Sequence, residues 1–200
     1  EGGAAFMASV LICLILGLAL SIERIIYLKM ATTNTKKLVN EIDECLEKGG
    51  VDAAKEVCRN TPGPVATIFH QGLDRSEGSY EEVAKAIEDY GSVEMSKLER
   101  GLSWISLFIA LAPMLGFMGT VIGMISAFDD IAEANTINAS IVAGGIKIAL
   151  ITTVSGLIVA IILQVFYNYI LSKIDGIVLD MEEASMDLVD ILYKRKLQGK

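Results

Sequence analysis

Between residues 145 and 170 the chain reads GIKIALITTVSGLIVAIILQVFYNYI, an apolar run that carries Lys147, Thr152, Thr153 and Ser155 but no carboxylate. A second apolar run, APMLGFMGTVIGMISAF, carries Thr120 near its middle. Hydroxyls donate and accept hydrogen bonds without titrating near neutral pH. They can line a narrow wet passage, yet they cannot load and release a proton themselves. The same hydroxyls have a plainer use, because a threonine in a membrane helix commonly bonds the carbonyl four residues back. At Thr120 and Thr153 both uses are open.

Lys147 is different in kind. A charge near the centre of a bilayer costs at least about 2.5 kcal/mol, so its presence needs a reason. Counted from Ala139 it lies about eight residues, roughly 12 Å, inside the apolar run. Its stem can reach back to the interface. The alternative is a cation set at a pore mouth or paired with a partner's acid. No Asp or Glu falls within the apolar part of any span, and Glu23 sits at the inner end of the first, next to Arg24. If protons pass here, the titrating carrier belongs to another subunit.

Small residues recur around the hydroxyls. Gly116, Thr120, Gly123 and Ala127 follow one another at intervals of four, three and four, and Gly145, Ala149, Thr153, Gly156 and Ala160 at four, four, three and four. Each set falls on one helix face. Such faces let backbones approach closely, which drives association where lipid removes the hydrophobic incentive. They serve as packing faces or leave room for a guest helix.

Other chemistry is thin. His70 is the single histidine, and no nucleophile–base constellation or phosphate-binding loop accompanies it, so the chain is not expected to be an enzyme. Cys13, Cys45 and Cys58 have neither metal-ligand spacing nor an even count for a disulfide framework. No metal or other cofactor is expected. A net charge of −8 without a basic stripe argues against nucleic acid as a partner.

The elements that must position these residues are helices in a membrane. Just over half of the 200 residues are hydrophobic, above the usual range for a soluble domain. Three runs reach the roughly 20 apolar residues that a helix needs to cross about 30 Å of hydrocarbon. The first has no basic region before it and no small-residue cleavage site after it, so it reads as a span and not as a signal peptide. The fold class is an all-α membrane protein with three transmembrane helices, the second and third extended into a cytoplasmic helical bundle. The expected organisation is span one and its inner extension over residues 1–30, a cytoplasmic connector over 31–100 and span two over 101–128. A periplasmic turn over 129–138, span three over 139–170 and a cytoplasmic C-terminal helix over 171–200 complete it.

Orientation follows from the flanks, since cytoplasmic loops collect Lys and Arg. Arg24, Lys29, Lys36 and Lys37 follow span one, Lys97 and Arg100 precede span two, and Lys194, Arg195 and Lys196 lie beyond span three. The turn DDIAEANTINAS has no basic residue. The N-terminus is therefore expected outside and the C-terminus inside.

Within the connector, Asn34 or Thr35 caps a helix ended by Gly49-Gly50, a second helix stops near Pro62 and Pro64, and PVATIFHQGLD forms a third. Each is too short to be stable alone in water and must pack on something. Ser79 and Glu82 make a capping box, and no proline intervenes before Pro113, so one helix is expected to run from Tyr80 through span two with a kink at Pro113. Beyond span three, Leu171, Ile174, Ile177, Val178, Met181, Leu188, Ile191 and Leu192 form a helical apolar stripe that asks for neighbours. A homo-oligomer is expected.

Taken together, ERIIYL, LAPMLGFMGTVIGMISAF and GGIKIALITTVSGLIVAIILQVFYN closely resemble the MotA/TolQ/ExbB proton-channel family, the ExbB-like branch in particular. The motif around Gly119, Thr120, Val121 and Gly123 is the most specific part. This resemblance implies an inner-membrane homopentamer in a Gram-negative bacterium, surrounding the single spans of a dimeric ExbD- or TolR-like partner that supplies a protonatable Asp. It implies that proton flow drives rotation and passes energy to a TonB-like transducer, and it maps the polar pore threonines onto Thr120 and Thr153. Thr152 and Ser155 are further candidates for the lining, Gly116, Gly123, Gly145, Ala149 and Gly156 for its close-packed faces, and Lys147 for a charge at its mouth. Two departures stand out: Ile148 occupies the position of a glutamate in the GI-x-EAL segment, and Ile162 that of a common proline. A TolQ-like or other motor subunit, or a non-conducting pentameric scaffold for a partner helix, remains an alternative.

Overall fold

The computed structural model describes residues 2–134 and 139–197, and the secondary structure of these residues is helical. In chain order the helices are α1 (Gly2–Ala31), α2 (Thr35–Lys48), α3 (Gly50–Asn60), α4 (Pro64–Asp74), α5 (Tyr80–Leu98), α6 (Leu102–Ala134) and α7 (Ala139–Leu197). They fall into two compact units, one of Glu1–Arg24 and Gly101–Ile170, the other of Ile25–Arg100 and Leu171–Lys200. Helices α1 and α7 contribute to both.

The first unit holds the three segments long and apolar enough to cross a membrane. Its interior is small: Val10 and Cys13 of α1, Ala112 of α6, and Val159 and Leu163 of α7 are buried together, with Leu14, Leu18, Phe108 and Leu115 against them. Large apolar side chains point outward instead, among them Leu11, Ile15, Phe117, Ile125, Val154 and Ile161. In lipid that arrangement costs nothing, and small residues inside bring the backbones together. Gly17 illustrates this, since a Cβ there would lie 2.6 Å from Leu163 Cδ1. Ser21, fully buried, returns its hydroxyl to the Gly17 carbonyl at 2.7 Å. Helix α6 continues through Pro113, whose missing N–H leaves the Ile109 carbonyl without its usual ladder donor.

The helix expected from Tyr80 into span two is instead two helices. After α5 ends at Leu98, the Glu99 N–H closes on Met95 O at 3.0 Å, and Gly101 adopts φ +87°. The Trp104 N–H then reaches Gly101 O at 3.2 Å and starts α6. A left-handed glycine ends the ladder where the sequence holds no proline.

In the second unit the short helices start and stop as their caps dictate. The Asn34 side chain accepts from the Lys37 N–H at 3.1 Å, and Gly49 follows the last turn of α2. Ser79 and Glu82 exchange both bonds of their capping box, 2.9 and 3.2 Å. Helix α4 begins at Pro64 after Gly63 in φ +117°, and seven of its eleven residues are buried, which makes it the central element. A Cβ on Gly72 would sit 3.0 Å from Ile87 and 3.1 Å from Leu188, so α4, α5 and the end of α7 converge there. The apolar stripe of α7 supplies Ile174, Ile177, Met181, Ala184 and Leu188 to this core. Arg195 donates to the Leu46 carbonyl and Lys196 to Gly78 O at 2.6 Å, fixing the last turn. Helix α7 runs on without a break from the third apolar segment to Leu197, and its Leu188 packs against Gly72 of α4.

His70 lies in a charged cluster on this unit. Arg59 Nε donates to His70 Nε2 at 3.3 Å, Nδ1 lies 3.5 Å from Asp74, and Lys55 pairs with Asp74 at 2.7 Å. The Lys55 ammonium holds the Asp74 carboxyl below the usual carboxylate range.

Candidate functional site

The two faces of small residues pack on each other, antiparallel, between α6 and α7. A Cβ on Gly116 would lie 2.7 Å from Thr152 O and 3.3 Å from Gly156 Cα, and one on Gly156 would fall on the Ala112 carbonyl. Further along, Gly123 meets Ala149, and Gly145 meets Ala127. No side chain larger than hydrogen fits at Gly116 or Gly156 without parting the helices. The spacing of four, three and four therefore sets the register of this seam.

Close approach brings three hydroxyls to one carbonyl. Thr120, Thr152 and Thr153 place Oγ1 at 3.3, 3.2 and 3.3 Å from Gly116 O. Thr152 also reaches Ala149 O at 2.7 Å and Thr120 reaches it at 3.0 Å, while Thr120 and Thr153 hydrogen bond to each other through their hydroxyls. Each hydroxyl has one proton to give. One proton of the Thr120–Thr153 pair serves the bond between the two hydroxyls and the others are directed to backbone carbonyls, leaving lone pairs that can accept from water or from a protonated carboxyl. None of these groups carries charge.

Thr152 and Thr153 have different surroundings. Thr152 is 1% exposed, and Gly119, whose Cβ would lie 2.9 Å from Thr152 Oγ1 and 3.2 Å from Phe6 Cβ, shows that α1 closes this side. Thr120 and Thr153 sit one residue, about 100°, further round their helices and remain half-buried. The structure thus brings Thr120 and Thr153 together on the side of the seam away from α1. Ser155 bonds Ile151 O at 2.8 Å on its own helix and does not join the cluster. Lys147 is exposed and, two residues before Ala149, projects on the far side of α7 from the seam. Ile148 is exposed as well.

Among the described residues no three His, Cys, Asp or Glu side chains come together as a metal site. The sequence reading did not single out Gln164 and Asn168, exposed on α7 and hydrogen-bonded to each other at 3.2 Å. Their spacing of eleven and fifteen from Thr153 puts them near its helix face, a signal that was there to be counted.

Residues 60–183, more than half of the chain, match the sequence model of the MotA/TolQ/ExbB proton channel family. The chain is 39% identical over 164 residues to a putative biopolymer transport protein ExbB homolog of Methanothermobacter thermautotrophicus, a match covering 80% of this chain and 57% of the relative. It is 31% identical over 156 residues to the putative biopolymer transport protein ExbB-like 3 of Synechocystis, covering 77% and 74%. To the biopolymer transport protein ExbB of Pseudomonas putida it is 30% identical over 172 residues, covering 81% of this chain and 52% of that one. The chain thus spans between half and three quarters of the length of these relatives.

Proposed function

Because the chain belongs to the MotA/TolQ/ExbB proton channel family, in its ExbB-like branch, we propose that it is the channel-forming subunit of a proton-driven motor of an inner membrane. Five copies surround the single spans of a dimeric ExbD- or TolR-like partner, and that partner brings a protonatable Asp. The N-terminus faces the periplasm, the C-terminus faces the cytoplasm, and the work is handed to a TonB-like transducer for transport at an outer membrane.

One observation carries this reading. Thr120 and Thr153 pair on the half-buried side of the α6–α7 seam, and none of the span residues 2–22, 102–128 and 139–170 is Asp or Glu. A mid-membrane site of hydroxyls alone accepts from a passing protonated carboxyl, can turn a hydroxyl proton toward it once it is ionised, and does not itself titrate. The titrating group then rides on the guest helix, whose turning past successive copies loads it from one side and unloads it to the other. Gly116 and Gly156 matter because they bring the two hydroxyl-bearing helices into contact.

The rival is a scaffold that only anchors the partner helix, and it draws on the fact that the seam hydroxyls all have carbonyls of this chain within reach. Thr153→Val separates the two. The motor reading expects loss of energy-dependent uptake with the complex still assembled, and unchanged uptake supports the scaffold. Affinity capture of a small one-span partner with an intramembrane Asp tests the partnership itself.

A further inference from the structure

The Thr120–Thr153 pair is not the end of the polar surface on its side of the seam. Along α7 the positions 153, 157, 160, 164 and 168 share a face at helical spacing, and they read Thr, Leu, Ala, Gln and Asn. Along α6, Thr120, Pro113 and Ser106 recur every seven residues. The contact of Gly156 with Ala112 fixes the antiparallel register, so six residues further on Ser106 stands level with residue 162 and close to the height of Gln164. Ser106, Gln164 and Asn168 are all exposed in the chain.

Gln164 lies six residues before Ile170, about 9 Å from the connector-side end of the first unit. Neighbouring exposed positions are Ile161 and Val165, 64% and 65% accessible, as expected of a surface that meets lipid or another helix. Two carboxamides amid such a surface use one hydrogen bond on each other, 3.2 Å, and keep most of their donor and acceptor capacity. Bare hydrocarbon is a poor place for them. Ala160, between Thr153 and Gln164 on the same face, leaves room beside the helix.

We propose that Ser106, Gln164 and Asn168 line a water-filled inner vestibule that connects the Thr120–Thr153 pair to the connector side of the membrane. This rests on the reading of that pair as the ion path. None of the three side chains titrates, so a proton released from the guest carboxyl moves through the vestibule as hydronium, along water that the carboxamides order, and no side chain is covalently changed.

The assembled complex in inverted vesicles tests this with a charged, membrane-impermeant methanethiosulfonate, the labelled site being read by peptide mapping. Gln164→Cys and Asn168→Cys are expected to react about tenfold or more faster than Val165→Cys, because only a hydrated thiol ionises and is reached by the reagent. Equal rates at Gln164→Cys and Val165→Cys overturn the vestibule. In flux measurements Gln164→Leu is expected to lower proton conduction about three- to tenfold, with Gln164→Asn restoring it and assembly intact. Normal flux in Gln164→Leu, or a complex that falls apart, assigns the pair to packing and overturns the proposal. If Thr153→Val leaves flux unchanged, the ion-path reading fails on its own account, while thiol labelling still reports whether Gln164 meets water.

Discussion

Thr152 donates within the interior toward Ala149 O and Gly116 O while its sequence neighbour Thr153 meets the Thr120 hydroxyl on the half-exposed side of the same seam. On the reading proposed above, adjacent threonines of one helix divide into a structural residue and a pathway residue. Thr152→Val is expected to lower the stability of the purified protein by about 1 kcal/mol through the lost hydrogen bonds, and to leave transport per assembled complex near normal. Thr153→Val is expected to do the reverse, with Thr153→Ser retaining function. Thermal unfolding in detergent alongside uptake assays separates them, and equal transport defects in both valine variants contradict the division.

Gly156 and Gly144 predict opposite outcomes for the same substitution. A methyl at Gly156 would strike the Ala112 backbone, which cannot swing aside, whereas nothing lies within 4 Å of a Cβ on Gly144. Gly156→Ala should cost about 1–3 kcal/mol by forcing α6 and α7 apart. Gly144→Ala should be neutral or slightly stabilising. Melting temperatures of the two variants, measured side by side, check the contrast.

Cys58 and Cys45 offer a reactivity test of the second unit. Burial pushes the Cys58 thiol up to about 12, so at pH 8 roughly one molecule in ten thousand carries the thiolate there. Cys45 is only half-buried. Iodoacetamide at pH 8 should modify Cys45 and spare Cys58 in the folded protein, with both reacting after unfolding. Comparable rates in the native state would show that the α2–α3–α4 packing opens readily.

The Asp74–Lys55 pair sets a pH dependence with a definite sign. Asp74 has a folded pKa below its unfolded value of about 3.9. Its contribution is therefore complete above that value and disappears as pH falls through the depressed folded pKa. With Asp74 42% exposed the pair is screened, and its worth is at most about 1 kcal/mol. Asp74→Asn should lower the melting temperature slightly at pH 7 and make no difference once the wild-type carboxyl is protonated. A gap that persists at the lowest pH assigns the effect to packing.

Much of the site was legible because membrane helices advertise their contact faces. The intervals that placed Gly116, Thr120, Gly123 and Ala127 on one face, and Gly145, Ala149, Thr153 and Gly156 on another, are the intervals at which these residues meet. The caps at Asn34 and Ser79 are legible for an equally local reason, since each is contained within four residues of sequence. The break at Gly101 is not legible in the sequence because a glycine is compatible with a helix until its φ turns positive, and nothing adjacent to it in sequence forces that. Telling Thr152 from Thr153 needed α1, whose Phe6 stands beside Gly119 from more than a hundred residues away.

The neutrality of the Thr120–Thr153 seam has an electrical corollary. A potential across the bilayer does work of about 2.3 kcal/mol per elementary charge per 100 mV, and it can act only on charge that moves. Alcohol groups give it nothing to pull. Rearrangement at this seam should therefore contribute no gating current, and in the motor proposed above voltage would enter through the guest's acid and the ion itself.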